Sequence, residues 1–473
     1  MSRLSLRLVA ILVTATLVGC SVGPEYVAPA WEQDVEWRSR IVVEEGAAAD
    51  WWRDGGDPIL DELIARALTE NKDIRMAKGR IAEAVAGQQS ARGARLPSVV
   101  ADARYTAFEQ SIESPQTAGP LIDAGIIPRD GEFYATTLQA SWEIDLFGLR
   151  GRQIAAADAR AAARLAEGEA VVLQIVAETI IAYADWRSFS ARADVATRNA
   201  NLQRESKNVI DGKVRLGLAR KLDGVRATTA LARLEADIPV LAANAVAAKQ
   251  RLAVLLGVMA DAIDENLLAN DVVIPPQISV GEKSSLLRRR PDVHVAERLL
   301  AVATEDQGAA AAAFFPQLTL TASGGFEAGE LDRLTNGAAR TTGIVPFVRW
   351  PIFQGNRLRA ARAAADARQQ QAMAEYEKTV LLAFADAESA IASQAGARQA
   401  LASIVVAADA AREAEVLARR LYQQGLVDYL TLLDAQRQLA AIEDARIVTE
   451  NQVILSAARL YKALGGGWTS PSR

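Results

Sequence analysis

From Leu318 the chain alternates: Leu318, Leu320 and Ala322 fall on one side, Thr319, Thr321 and Ser323 on the other. A two-residue period of this kind predicts a strand with one apolar and one polar face. A longer stretch does the same, with Tyr134, Thr136, Leu138, Ala140, Trp142 and Ile144 opposing Thr137, Gln139, Ser141, Glu143 and Asp145. Elsewhere the period is helical. Val172, Val176, Ile180 and Tyr183 recur at three- and four-residue steps, and no proline interrupts 129–238 or 352–470. At 1.5 Å per residue, 149–216 and 357–424 are predicted as helices of about 100 Å each. Such lengths far exceed the ~10–14 residues of a globular helix and suit side-by-side coiled-coil packing.

The same order of features occurs twice. A helical segment meets Pro97 in one unit and Pro316 in the other, and a strand follows each proline. A turn-rich loop, roughly 109–132 or 327–341, leads to a second strand with a matching exit. These exits are Trp142-Glu143-Ile144-Asp145-Leu146-Phe147-Gly148 and Trp350-Pro351-Ile352-Phe353-Gln354-Gly355-Asn356-Arg357. Each unit thus contributes a β-hairpin, about 98–147 and about 317–353, and then a helical hairpin, about 149–257 and about 357–464. Glycine allows the turns at Gly217 and Gly425. Pro239 is expected to kink the first returning helix. The organisation expected is repeat 1 over 57–257, an irregular linker over 258–281, repeat 2 over 282–464 and a tail over 465–473.

In each hairpin one face suits lipid and the other water. Four strands cannot close a barrel, and an open edge in hydrocarbon leaves backbone groups unpaired at several kcal/mol each. Sister copies must supply the rest, as a dimer of eight strands or a trimer of twelve. Eight strands leave an interior filled by side chains, whereas twelve can leave a passage; the polar inner faces favour the trimer. The fold class expected is a mixed α and β membrane protein, a trimeric 12-stranded barrel continued by an α-helical barrel below the membrane, which the family resemblance given below implies to be periplasmic.

Of the 473 residues half are hydrophobic and 23% charged, and about a fifth are alanine, the strongest helix former. The formal charge of −5, without a basic block, gives no footprint for nucleic acid. One cysteine and one histidine leave little for a zinc site or a nucleophilic triad. No phosphate-binding loop or His-Glu-x-x-His pair occurs, so no enzyme activity, metal or cofactor is expected. Glu143 and Asp145 are read as neighbours on a wet strand face, Arg288-Arg289-Arg290 as a solvated helix end and His294 as structural.

Arg3 and Arg7 precede an apolar run from Leu8 to Val18 that ends at Gly19-Cys20. The run is too short to span a bilayer and reads as a secretory signal over 1–19. The small residues before Cys20 resemble a bacterial lipobox, which implies acylation of Cys20, a lipidated segment over 20–56 and, with Ser21 next, sorting to the outer membrane.

Together these landmarks resemble the outer-membrane factor family of tripartite efflux systems, the TolC-like proteins, and its lipoprotein branch. The resemblance also rests on Cys20-Ser21-Val22-Gly23-Pro24-Glu25-Tyr26-Val27-Ala28-Pro29, on Trp51-Trp52 followed by Asp57-Pro58, on Arg289-Arg290-Pro291-Asp292-Val293 and on Ala463-Leu464-Gly465-Gly466-Gly467-Trp468. It implies a homotrimer that docks a periplasmic adaptor fed by an inner-membrane efflux pump and acts as a passive exit duct for small molecules. It places the adaptor contact at Leu216, Gly217 and Leu218 and at Gly425, Leu426 and Val427. A periplasmic gate is implied near the second tip. Leu430, Asp434 and Arg437 lie at i, i+4 and i+7 on one helix face, with Tyr422 nearby; the bland reading is a solvated Asp/Arg pair. The matching first-unit segment, Leu218 to Asp223, is basic, so gating need involve only one hairpin. Two other readings are the outer-membrane part of type I protein secretion and a structural periplasmic coiled-coil lipoprotein.

Overall fold

The computed structural model describes residues 22–29, 52–53, 56–113, 119–268, 273–275, 280, 283 and 286–466. Cys20 and the leader before it, Trp51, and the tail from Gly467 lie outside the described residues. Nine helices and four strands occur among those described, apart from 3-10 turns. They are α1 (Pro58–Glu70), α2 (Lys72–Gly93), β1 (Ser98–Glu109), α3 (Gly119–Asp123), β2 (Asp130–Ile144), α4 (Leu149–Arg215) and α5 (Lys221–Leu255). The second half holds α6 (Leu286–Arg289), α7 (Pro291–Ala312), β3 (Gln317–Ala328), β4 (Arg340–Arg349), α8 (Arg357–Gln423) and α9 (Tyr429–Ala463).

Four pairs of elements match in length between the halves, whereas β2 has 15 residues against 10 for β4 and α1 has 13 against 4 for α6. Helices α4 and α8 have 67 residues each, α5 and α9 have 35, α2 and α7 have 22, and β1 and β3 have 12. The 258–281 stretch, expected to be irregular, holds 3-10 turns at Ala260–Ala262 and Glu265–Leu268. The first hairpin loop contains the short α3. Helix α5 is assigned without a break through Pro239, although proline removes one N–H from its ladder.

The chain falls into two compact units, each built from parts of both repeats. The first comprises Met1–Pro29, Ala82–Ala163 and Glu297–Glu375. Its four strands form one antiparallel sheet in the order β1-β2-β3-β4. In the first hairpin Ser98 faces Ser141 and Ala107 faces Glu132; in the second Gln317 faces Arg349 and Phe326 faces Arg340. Adding 219 to the first-strand numbers and 208 to the second-strand numbers converts one register into the other. Even the fastenings correspond. The Trp142 indole donates to the Arg95 carbonyl at 3.0 Å and the Trp350 indole to the Phe314 carbonyl at 3.1 Å. The segment after Cys20 lies on this unit. Gly23, at φ 96°, comes so close to Gly308 that a Cβ would stand 2.8 Å from its Cα. Arg152 donates to the Gly23 carbonyl at 3.2 Å and pairs with Glu305 at 2.9 Å, and the Tyr26 hydroxyl donates to Glu297 at 2.9 Å.

The second unit comprises Ala30–Ile81, Arg164–Ala296 and Tyr376–Arg473. One core of this unit gathers Leu63, Ala67 and Ile74 from α1 and α2, Ile175, Tyr183 and Trp186 from α4, and Ala248 and Leu252 from α5. Each large aliphatic side chain buried there contributes about 1.5–3 kcal/mol. Asp57 caps α1, accepting from the Ile59 and Leu60 amides at 3.0 and 3.2 Å, with Pro58 in the first turn. The end of each returning helix is tied by chemically different residues. Asn71 donates to the Leu255 carbonyl at 2.8 Å, and Arg290 donates to the Ala463 carbonyl at 2.9 Å. Beside each tie a glycine leaves no room for a side chain: a Cβ on Gly257 would stand 2.6 Å from the Glu70 carbonyl oxygen, and one on Gly465 2.8 Å from the Arg289 carbonyl carbon.

The basic triplet is therefore only partly a solvated helix end. Arg290 is 8% exposed and also engages Asp292 at 2.7 Å and Asp386 at 3.3 Å. A buried guanidinium is satisfied there by carbonyl and carboxylate together.

Candidate functional site

The sheet sorts its residues by register. One face carries Leu138, Ala140, Trp142 and Ile144 beside Gly324, Ala322, Leu320 and Leu318, with Ile344, Pro346 and Val348 beyond. The other carries Asp102, Thr137, Gln139, Ser141, Thr319, Thr321 and Ser323, with Val100, Val345 and Phe347 as apolar exceptions on the two outer strands. Strands β1 and β4 each pair on one side only among the described residues. Glu143 and Asp145, expected to be merely adjacent, both have structural roles. Glu143 pairs with Arg150 at 2.6 Å and Asp145 accepts the Gly151 amide at 2.7 Å, which steadies the start of α4.

At the far end of the long helices the two turns use the same hydrogen bonds. The Leu218 amide reaches back to Lys213 and that of Gly217 to Val214, while Leu426 reaches Leu421 and Gly425 reaches Tyr422. Gly217 and Gly425 have φ of 71° and 74°. This is the glycine-ended helix motif, which satisfies carbonyls that the helix leaves open. Leu216, Leu218 and Leu426 are 74%, 73% and 68% exposed, an apolar display; Val427 is half-buried.

Past the turns the two hairpins part company. Asp428 caps α9, accepting the Thr431 amide at 3.0 Å and hydroxyl at 2.8 Å. These two hydrogen bonds, and then the Arg220 and Arg226 charges from the first hairpin, hold its carboxyl below the usual range. The first hairpin has Arg220 at the capping position, which cannot accept; Asp223 accepts the Arg220 amide instead at 3.4 Å.

The four gate candidates occupy two environments. Tyr422 joins a small core of Ile210, Ala227, Ala230, Tyr429 and Leu433 drawn from both hairpins. Lys213 donates to its hydroxyl at 3.1 Å and lies 4.5 Å from the ring centroid, a cation–π contact. Leu430, Asp434 and Arg437 lie on an exposed face of α9, and neither charge has a hydrogen-bonded or ionic partner among the described residues. The solvated Asp434/Arg437 pair is absent. Arg437 instead borders a groove of about 720 Å³, together with Arg192, Asp237, Glu415 and Asp444. Arg192 grips Asp444 through two bonds of 2.6 and 3.1 Å.

Sequence reasoning missed Lys213 and Asp428. The Asp428-Tyr429-Leu430-Thr431 spacing, a capping residue just ahead of an apolar helix, could have revealed the second. Nothing local marks Lys213, whose partner lies 209 positions away. Among the described residues no cluster suited to a metal occurs.

Residues 63–258 and 283–466 match the family described as outer membrane efflux protein. The probable efflux pump outer membrane protein SepC of Pseudomonas putida is 31% identical over 98% of this chain and 97% of its own length. The toluene efflux pump outer membrane protein TtgF of Pseudomonas putida shows the same identity and coverage. Among solved structures, the outer-membrane channel OprN matches with a TM-score of 0.87 and 31% identity, over 95% of this chain and 100% of that one.

Proposed function

The chain belongs to the outer membrane efflux protein family and is the outer-membrane channel of an efflux pump; from that premise we propose that three copies close one passive duct for small molecules. An inner-membrane pump supplies the energy and most of the selectivity, and a periplasmic adaptor joins the two. The observation that carries this reading is the sheet: an apolar face, a mainly polar face and two edge strands that pair on one side only among the described residues. In lipid such edges leave amides and carbonyls unsatisfied, so sister copies must cover them. Twelve strands leave room for a wet bore lined by the polar face.

The exposed leucines at the two turns suit the adaptor contact. Closure falls to Leu430, Asp434 and Arg437, which point away from the core of their own chain and would meet their copies around a threefold axis. Lys213 and Tyr422 hold the two hairpins together behind that ring. Cys20 carries the lipid, two residues ahead of Val22, whose amide bonds the Phe147 carbonyl at 3.3 Å near the end of β2.

The test is the size of the detergent-extracted protein, resolved by heating and by crosslinking. A trimer is expected; a monomer or dimer overturns the reading.

A further inference from the structure

The internal repeat specifies how one copy pairs with the next. The shifts of 219 and 208 carry the register of the β1–β2 hairpin onto that of the β3–β4 hairpin, pair by pair. In a closed ring of identical chains, β4 meets β1 of the neighbour, and this seam stands where β2 meets β3 inside the chain. Applying the same shifts to the β2–β3 pairs gives the seam. Ile144 opposite Leu318 becomes Ile352 opposite Val99, Ala140 opposite Ala322 becomes Val348 opposite Ala103, and Ser141 opposite Thr321 becomes Arg349 opposite Asp102.

The derived pairs keep to one face by construction, and one feature that played no part in the derivation, their charge, also agrees with it. Val348 and Ala103 both belong to the apolar face and Arg349 and Asp102 to the polar one, as a real register requires, since a slip of one residue would invert every side chain. The derived pair is also of opposite charge. Both side chains are exposed, and neither has a charged or hydrogen-bonded partner among the described residues; Arg349 only overlies the Phe347 ring at 5.6 Å. A slip of two residues would set Arg349 against Arg104, a like-charged pair, in one direction and against the uncharged Val100 in the other. We propose that adjacent subunits pair β4 with β1 in this register, with Arg349 bonded to Asp102 of the next copy on the water-facing side of the wall.

The match has a limit that the structure also locates. Gly325 lies so close to β2 that a Cβ would stand 2.0 Å from the Thr136 carbonyl oxygen. Its counterpart on β1 is Thr106, which has a Cβ. One position along, Pro346 on β4, opposite Tyr105 in the derived register, has no N–H to give. On the other side β4 ends at Arg349, and Pro351, opposite Val100, likewise has no N–H to give; the seam is therefore most regular around Asp102 and Ala103 and loosens to either side.

This inference rests on the trimer proposed above, and one experiment separates the two. Directly opposed residues of an antiparallel pair have Cα atoms about 4.5–5.5 Å apart, within reach of a disulfide. Asp102→Cys combined with Arg349→Cys is oxidised with copper phenanthroline in outer membranes, beside each single variant to control for Cys20. Covalent dimers and trimers are expected in the double variant alone. If Arg349→Cys crosslinks instead with Val100→Cys or Arg104→Cys, or if a native-sized trimer crosslinks at none of the three, the register fails while the trimer stands. A monomer by native size sinks both. As a check free of cysteine, Asp102→Arg and Arg349→Asp should each lower the temperature at which the oligomer dissociates, and the combined exchange should restore at least half of the loss. An exchange no better than the sum of the single variants would overturn the ion pair.

Discussion

The two repeats solve one set of geometric problems with different chemistry. Where each returning helix ends, the backbone demands are the same: a glycine at positive φ, pressed on the segment before α2 or α7, and a side chain that takes up the last carbonyl. Repeat 1 meets the second demand with Asn71 and repeat 2 with Arg290. At the turns the pattern is the same, since the hydrogen bonds agree while the next four residues carry opposite charge. Repetition is thus strict where the backbone sets the terms and loose where side chains do.

Variants that break the shared geometry should show the largest effects, equal in both repeats. Gly257→Ala and Gly465→Ala each force a Cβ into backbone at 2.6 to 2.8 Å, and strain plus overpacking are expected to cost about 2–5 kcal/mol. Gly217→Ala and Gly425→Ala, which meet open space, should cost only about 1–2 kcal/mol. Denaturation midpoints of the purified oligomer will show whether the first pair exceeds the second.

The divergent ties come next. Arg290→Ala removes several charge-assisted bonds and orphans the Ala463 carbonyl, for about 3 kcal/mol. Asn71→Ala loses a helix cap and one neutral bond, for about 1–2 kcal/mol. Equal losses would mean that the Asp292 and Asp386 contacts add nothing.

At the turns the comparison can be read as current. Asp434→Ala is expected to raise single-channel conductance in planar bilayers, whereas Arg226→Ala, at the matching place in repeat 1, should leave it unchanged. A rise in both would assign the constriction to both hairpins.

The smallest effect is that of acid. The Asp428 carboxyl sits below its ordinary range in the folded chain, so its contribution is complete above the unfolded value near 4 and fades as pH falls through the lower folded value. The amide-exchange protection factor at Thr431, corrected for the intrinsic pH dependence of exchange, should stay flat from pH 7 to 5 and fall only below about 4. Exchange at Asp223, behind a residue that cannot accept, should lack the step due to Asp428.

Much of this was legible because it repeats. Alternation fixed the strand faces, and the paired prolines and exit tryptophans marked both hairpins before any coordinates. Arg290 was misread because a triplet of arginines has the same composition whether dissolved or buried; only the approach of Ala463, 173 positions on, distinguishes the two. Tyr422 was grouped with Leu430 and Asp434 by proximity in sequence. A tight turn lies between them, and it sends the ring into the space between hairpins while the others face outward.

The contact of Gly23 with Gly308 sets the length of a leash. Cys20 is three residues upstream of it, so on the acylation proposed above the Cα that bears the thiol stays within about 11 Å of the spot. Lengthening the spacer, with no change to the thiol or to the glycines, would turn a short tether into a slack one.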